Sequence, residues 1–197
     1  MTKRLFDLLA SSLGLLVLAP VLILLSIWIK LDSHGPVFFR QERVGRHGLT
    51  FRIHKFRTMV TDAEKKGLQI TVGADPRVTR AGQWLRKYKF DELPQLIDVW
   101  LGSMSLVGPR PEVPRYVAHY PPEVRDLVLS LRPGITDKAS IEFRDENEIL
   151  GKAADPHRTY VEEILPIKVK YYVNYANNNS LFGDFQVIVR TLLVLFR

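Results

Sequence analysis

The sequence predicts an α/β fold, mostly helical with a small β-hairpin or sheet, joined to a membrane segment at its N-terminus. Three observations carry this. Leu8 to Ile29 contains no charged residue, about the length that one transmembrane helix needs. PVFFRQERV and LTFRIHKFRTM are strand-like stretches around a GRHG turn. Beyond Asp75, apolar residues recur at helical spacing.

The first element is the apolar run, which divides the chain into a membrane segment at 1–34 and a folded domain at 35–197. A secretory signal would have a shorter apolar core, about 7–15 residues, and a small-residue cleavage site. LDSHGP does not supply one. Pro20 lies mid-run, removes a hydrogen bond to the carbonyl of Leu16, and kinks the helix. A kinked spanning helix and a re-entrant hairpin both fit, since Lys and Arg flank the run on both sides.

Gly35-Pro36 ends that segment, and a hairpin is expected over roughly Val37 to Phe56. Thr61 to Gly67 reads as a polar helix or loop. Asp75-Pro76 is expected to open a helix continued by RVTRAGQWLRKY. DELPQLIDVWLG forms a second, with Leu93, Leu96, Ile97 and Trp100 on one face. SLVGPRPEVP is extended and turn-rich, PPEVRDLVLSL a helix and RPGIT a loop. An acidic stretch, EFRDENEIL, follows. An aromatic-rich helix from about Val161 to Tyr175 breaks at Asn177 to Asn179. LFGDFQVIVRTLLVLFR closes the chain as a mostly apolar helix, suited to the core or to the membrane interface.

Charge is uneven. Residues 1–90 hold 16 of the 28 Lys/Arg and 6 of the 21 Asp/Glu, a surplus of +10, whereas residues 91–197 carry −3. A basic first half suits phospholipid headgroups, nucleic acid or a polyphosphate ligand. No recognised nucleic-acid-binding module accompanies the basic residues, so nucleic acid is not expected. The chain has no cysteine, which excludes disulfides, thiol catalysis and cysteine-containing zinc sites. It also lacks a Walker loop, G-x-G-x-x-G, H-E-x-x-H and G-x-S-x-G.

Chemistry concentrates between Leu85 and Glu112. Asp91 and Glu92 are adjacent carboxylates before a helix and do not face the same way. One could attack phosphorus while the other holds a hard cation such as Mg²⁺. Read alone, Asp91 reads as a helix N-cap and Glu92 as a first-turn partner of the helix dipole. Around them stand Lys55, Arg57, Arg86, Lys87, Lys89 and Arg110. Pro109 and Pro111 stiffen the backbone on either side of Arg110, which suits bidentate contact with phosphate or a rigid surface turn.

Read together, KRLFDLL, GPVFFRQERVG, KFRTM at Lys55 to Met59, DPRVTRAGQWLRK, DELPQL, SMSLVGPRP and RPGIT resemble the small monotopic phosphoglycosyl transferases, the bacterial sugar transferases that initiate glycan assembly. The resemblance runs nearly end to end. It implies a monotopic protein whose N-terminal membrane helix is re-entrant, a helix–break–helix bent near Pro20. The remainder would be a catalytic domain on the cytoplasmic face of the bacterial inner membrane, with helices lying at the interface. It implies transfer of a phosphosugar from a UDP-sugar to polyprenol (undecaprenyl) phosphate, releasing UMP by a ping-pong route. Asp91 would form the covalent phosphosugar intermediate and Glu92 would bind Mg²⁺. Lys55, Arg57, Arg86, Arg110 and Arg144 would hold phosphates or shape the site with Pro109 and Pro111. The products would serve capsule, exopolysaccharide, O-antigen or protein-glycan assembly. A homodimer is compatible with the sequence.

Three departures from the family pattern stand out. Ala19 precedes Pro20 where Ser is frequent, and Gly102-Ser103-Met104-Ser105 replaces a frequent G-D-M-S. Asp137 to Phe143 differs from the usual continuation of RPGIT, although Arg144 is retained. A glycosyltransferase that releases UDP and a non-enzymatic membrane adaptor are the competing readings. The first differs in its nucleotide product and the second in its indifference to Asp91→Asn.

Overall fold

The computed structural model describes residues 2–61, 63 and 75–195. A single helix, α1 (Thr2–Asp32), takes up the N-terminal apolar run. It is 31 residues long, which at the α-helical rise is about 45 Å. No non-helical residue interrupts it at Pro20, so the expected helix–break–helix is not seen as two helices. Among the described residues it is the one helix long and apolar enough to cross a membrane.

The folded domain holds α1 along one stripe. Asp7, Ser11, Leu25 and Ile29 are buried, spaced so that they share a face. Arg4 donates to the carbonyls of Val99 (2.6 Å) and Trp100 (2.9 Å). The Asp7 carboxylate accepts from the Ser105 hydroxyl (2.9 Å) and the Leu106 amide (3.1 Å). At the other end, Arg57 donates to the carbonyls of Ser33 (2.7 Å) and His34, and Asp32 accepts from the Ala81 amide (3.0 Å). Most of the remaining surface of α1 is exposed and apolar: Leu16 is 74% exposed and Leu31 82%.

The expected hairpin forms, with a broken ladder. β1 (Phe38–Phe39) pairs with β4 (Lys55–Phe56), and β2 (Glu42–Val44) with β3 (Thr50–Arg52), all antiparallel. Between the pairs, the His54 amide leaves the ladder and donates to Asp98 (2.8 Å). The GRHG turn forms at the tip, with His47 at φ 59° and Gly48 at φ 76°.

The helix expected from Asp75 begins later. Asp75 and Arg77 instead form a tight ion pair that closes a turn. Thr79 then caps α2 (Arg80–Lys87) by accepting from the Gly82 amide (3.0 Å), as threonine does at helix starts. The Thr61–Gly67 stretch falls outside the described residues except for Thr61 and Ala63.

DELPQLIDVWLG also splits. Phe90–Glu92 is a short 3₁₀ turn, Pro94 follows, and α3 (Gln95–Leu101) ends at Gly102 with φ 93°. α3 buries Gln95, Asp98 and Val99, whereas Trp100 is half exposed and Leu96 lies against Gly14 of α1. The RPGIT stretch, expected as a loop, is a strand. β6 (Gly134–Thr136) pairs in parallel with β5 (Ser105–Val107). The pairing needs glycine, because a Cβ on Gly134 would lie 2.1 Å from the Gly108 nitrogen.

The remaining α-helices are α4 (Pro114–Val117), α5 (Pro122–Leu129), α6 (Lys138–Glu142), α7 (Glu146–Lys152), α8 (Pro156–Thr159), α9 (Leu165–Asn178) and α10 (Leu181–Leu195), with a π-helical turn at Tyr160–Ile164 between α8 and α9. Tyr116, Val117, Val128, Leu150, Ile164, Leu165, Val169 and Tyr172 form the largest core. A second core joins Leu25 and Ile29 of α1 to Phe56 and Leu85. α10 exposes Phe182, Phe185, Leu192 and Leu193. That apolar face suits a membrane interface.

Gly82 tests the packing behind the basic residues. A Cβ there would sit 2.0 Å from the Thr58 carbonyl oxygen, and that oxygen also accepts from the Thr79 amide (3.0 Å). Gly82→Ala must therefore push α2 off the Thr58 backbone. Overpacking typically costs about 1–3 kcal/mol, which for a chain of this size lowers the melting temperature by about 2–4 °C per kcal/mol. A thermal melt in detergent checks the expectation. A melting temperature at or above wild type would show that α2 can lift freely.

Candidate active site

Four elements place their cations and carboxylates together. The 3₁₀ turn after α2 carries Asp91 and Glu92, and β4 carries Lys55. The extended segment after β5 carries Arg110, and α2 carries Arg86. Lys89, just before Asp91, sits in the left-handed region at φ 57°. That conformation costs an L-residue other than Gly or Asn roughly 1–2 kcal/mol and turns the chain sharply out of α2.

Glu92 is the hub. Lys55 donates to Oε1 (2.7 Å), and Arg110 grips both oxygens, one through Nη1 to Oε2 (3.1 Å) and the other through Nη2 to Oε1. These two cations hold the Glu92 carboxyl well below the usual range despite its burial. Arg110 is correspondingly fixed in its charged form. Burial pushes the Lys55 ammonium down, partly offset by Glu92.

Asp91 is the opposite case. Its Oδ1 is shielded from solvent and has no hydrogen-bond partner. Burial first, and the Glu92 charge second, push its carboxyl up, against the attraction of Lys55, Arg86 and Lys89. Two adjacent carboxylates are thus driven apart, one kept ionised by a cationic clamp and the other raised and left with an unpartnered oxygen. Such divergence is how sites assign different roles to like groups.

Of the other residues singled out in the sequence, Arg86 donates to the Thr58 hydroxyl (2.8 Å) and feels the Asp91 charge. Pro109 and Pro111 are buried and lend their carbonyls to the frame: Pro109 accepts from the Gly134 amide (2.9 Å) and Pro111 from Arg43 (3.1 Å). Arg57 is not brought to the carboxylates; its guanidinium is committed to carbonyls at the C-terminal end of α1. Arg144 follows α6, half-buried, with no hydrogen bond or ion pair among the described residues.

Three contributors were not singled out. Arg43 donates to Gln41 (2.6 Å) and stands 3.8 Å from Glu112. Glu112 accepts from the Tyr160 hydroxyl (2.6 Å). Asp98 bonds both the His54 amide and its Nδ1 (2.7 Å), fixing the strand next to Lys55. Arg43 was one of many arginines in the hairpin, and only its partners distinguish it.

The resemblance noted in the sequence implies Mg²⁺. Among the described residues no cluster of three or more His, Asp or Glu could hold a metal unaided. Mg²⁺, however, usually takes one or two carboxylates and completes its shell with water and substrate phosphates. Glu92 fits that requirement as the one carboxylate, with Lys55 or Arg110 giving up an oxygen to the ion.

These features define a class: a mostly helical domain on a long apolar helix that could anchor it in a membrane, with paired carboxylates set among arginines and lysines suited to phosphate. The chain belongs to the bacterial sugar transferase family, whose model matches residues 1–197. It is similar to a UDP-N-acetylgalactosamine-undecaprenyl-phosphate N-acetylgalactosaminephosphotransferase of Aeromonas hydrophila, 37% identical over 192 residues, covering 96% of this chain and 42% of the relative. It is also similar to the UDP-glucose:undecaprenyl-phosphate glucose-1-phosphate transferase of Escherichia coli (strain K12), 34% identical over 193 residues, 96% and 39%. An undecaprenyl-phosphate glucose phosphotransferase of Komagataeibacter xylinus is 48% identical over 145 residues, 71% and 27%. The chain spans less than half the length of each of these three relatives.

Proposed function

We propose that this protein transfers a phosphosugar from a UDP-sugar to polyprenol (undecaprenyl) phosphate, releasing UMP, with Asp91 as the covalent nucleophile. The observation that carries the reading is the shielded Asp91 oxygen, which has no structural partner, beside a carboxylate clamped by Lys55 and Arg110. The relatives' names supply the substrate classes, and because they differ in sugar they assign none to this chain.

In this mechanism an Asp91 oxygen attacks the phosphorus that bears the sugar. The bond from that phosphorus to the bridging oxygen breaks, and UMP leaves with the electron pair. A phosphate oxygen of the polyprenol phosphate then attacks the same phosphorus. The aspartyl bond breaks, Asp91 is restored and polyprenol diphosphate sugar departs. Arg110, Lys55 and Arg86 offset the repulsion between an anionic nucleophile and a diphosphate, and stabilise charge developing on phosphoryl oxygens. Arg57 acts on α1, whereas Arg144 remains available to the donor. Glu92 would hold Mg²⁺, which when bound neutralises phosphate charge.

The proposal includes a monotopic arrangement with both ends of α1 on the cytoplasmic side, where UDP-sugars are found. Its support is the hold of one domain on both ends of the helix. A helix that crossed a hydrocarbon core about 30 Å thick would separate its ends. Lipid would then meet the apolar faces of α1 and α10.

The test is an assay in lipid particles with undecaprenyl phosphate, Mg²⁺ and a panel of UDP-sugars, reading UMP against UDP. UMP release dependent on Mg²⁺ is expected with at least one donor. UDP release would replace this reading with direct sugar transfer.

A further inference from the structure

An aromatic ledge runs from the membrane helix to the nucleophile and is not used by the mechanism above. Trp28 of α1 meets Trp84 of α2 edge-on at 5.6 Å between ring centroids. Trp84 in turn meets Tyr88 at 4.8 Å and Phe90 at 5.3 Å. Phe90 is the residue before Asp91. Trp28 is 38% exposed, and Trp84 and Tyr88 are each 40% exposed. Phe90 packs inward on the core formed by Leu25, Ile29, Phe56 and Leu85.

Cations line the inner end. The Lys87 ammonium stands 5.5 Å from the Tyr88 ring. Lys89 is held in its strained left-handed conformation, and its charge and that of Arg86 act on the Asp91 carboxyl. Strain of this kind persists where the surroundings over-determine it, and it clusters at functional sites. The outer end is continuous with the exposed apolar surface of α1, which includes Leu24, Ile27 and Leu31.

One molecule matches this sequence of surfaces: a long apolar chain bearing a single terminal phosphate. We propose that Trp28, Trp84 and Tyr88, backed by Phe90 from the core, form the track of the polyprenol phosphate acceptor. Its isoprene units lie on the rings, and its phosphate reaches Lys89 and Arg86 beside Asp91. The inference rests on the acceptor named under the proposed function. A ring of interfacial aromatics that merely anchors a protein in lipid is the competing role. Anchoring alone would require neither a ledge ending one residue from the nucleophile nor cations gathered there.

Trp84→Leu and Tyr88→Leu keep apolar bulk while removing the rings. The full chain in lipid particles would be assayed in two halves: exchange of labelled UMP into the UDP-sugar without acceptor, and transfer at varied undecaprenyl phosphate. The KM for the acceptor is expected to rise about tenfold, with exchange retained and co-sedimentation with phosphatidylethanolamine–phosphatidylglycerol vesicles at the wild-type level. An unmoved acceptor KM, or a rise that merely follows lost vesicle binding, overturns the track. Absence of exchange in the wild-type protein would instead sink the covalent mechanism. Should a variant fail to fold, a benzophenone-bearing polyprenyl phosphate on the wild-type protein decides. Cross-links on peptides holding Trp28, Trp84 or Tyr88 support the track, and cross-links confined elsewhere overturn it.

Discussion

Asp91→Asn should abolish phosphosugar transfer and, at neutral pH, make the protein more stable. Loss of a covalent nucleophile removes on the order of a thousandfold or more in rate, so UMP exchange should fall to background and no phosphosugar adduct should form. The stability gain follows from the same geometry. Burial and Glu92 raise the Asp91 carboxyl above its ordinary value of 3.8. Folding therefore favours the protonated form. Above the raised value the charge is present in both folded and unfolded chains, and it costs stability in the folded one. Below about 3.8 the group is neutral in both, and the cost is gone. The Asn variant should melt higher than wild type at pH 7, and the two should converge as the pH falls toward the ordinary aspartate range. Scanning melts across pH on both proteins checks the sign. Melts that coincide at pH 7 would mean that Lys55, Arg86 and Lys89 fully neutralise the buried charge. In the wild-type protein, UMP exchange should weaken on acidification at a pH above the ordinary aspartate range, as the nucleophile takes up a proton.

Arg110→Ala should cut transfer by about 10²–10³-fold, the usual cost of losing one preorganised donor to a developing anion. Its second consequence separates it from a simple loss of charge. Arg110 and Lys55 now occupy the Glu92 oxygens, so a divalent cation has to displace one of them. A donor diphosphate offers both cations another partner. Mn²⁺, followed by its electron paramagnetic resonance as a stand-in for Mg²⁺, should bind the wild-type protein weakly alone and more tightly with UDP. In Arg110→Ala the metal should bind more readily without nucleotide, because Glu92 retains Lys55 alone. Arg110→Lys keeps the charge without the planar fork and should fall between. Identical Mn²⁺ titrations of wild type and Arg110→Ala would refute the competition at Glu92.

Much of this site was legible in the order of residues. Asp91, Glu92, Lys55, Arg86 and Arg110 were all singled out, and the structure gathers them on four elements separated in the chain. Arg57 shows where reading a sequence runs out. It lies two residues from Lys55 and carries the same kind of charge, yet it faces the carbonyls at the end of α1. Alternation along a strand cannot say what lies beyond each face. The helices α5 and α9 form where the sequence places them, and α10 takes up the closing apolar run. The misread elements were decided by local bonds or distant partners: Thr79 displaces the start of α2 from Asp75, and RPGIT becomes a strand because β5 lies alongside it. Arg43 and Asp98 gain meaning from Glu112 and His54, which no nearby spacing announces.

The hold of the domain on α1 has a practical consequence. Leu25 and Ile29 belong to a core that also contains Phe56 and Leu85, and Asp7 satisfies the hydroxyl and amide at the start of β5. The apolar helix is therefore part of the fold and cannot be treated as a detachable tether. Cutting at Gly35 would leave Arg57 without its carbonyl partners and Phe56 open to water, two residues or fewer from Lys55. A water-soluble form of this protein is better sought by recoding the outward positions Leu9, Leu13, Leu16, Val17, Ile23 and Leu24 to polar residues, with the inward stripe left intact.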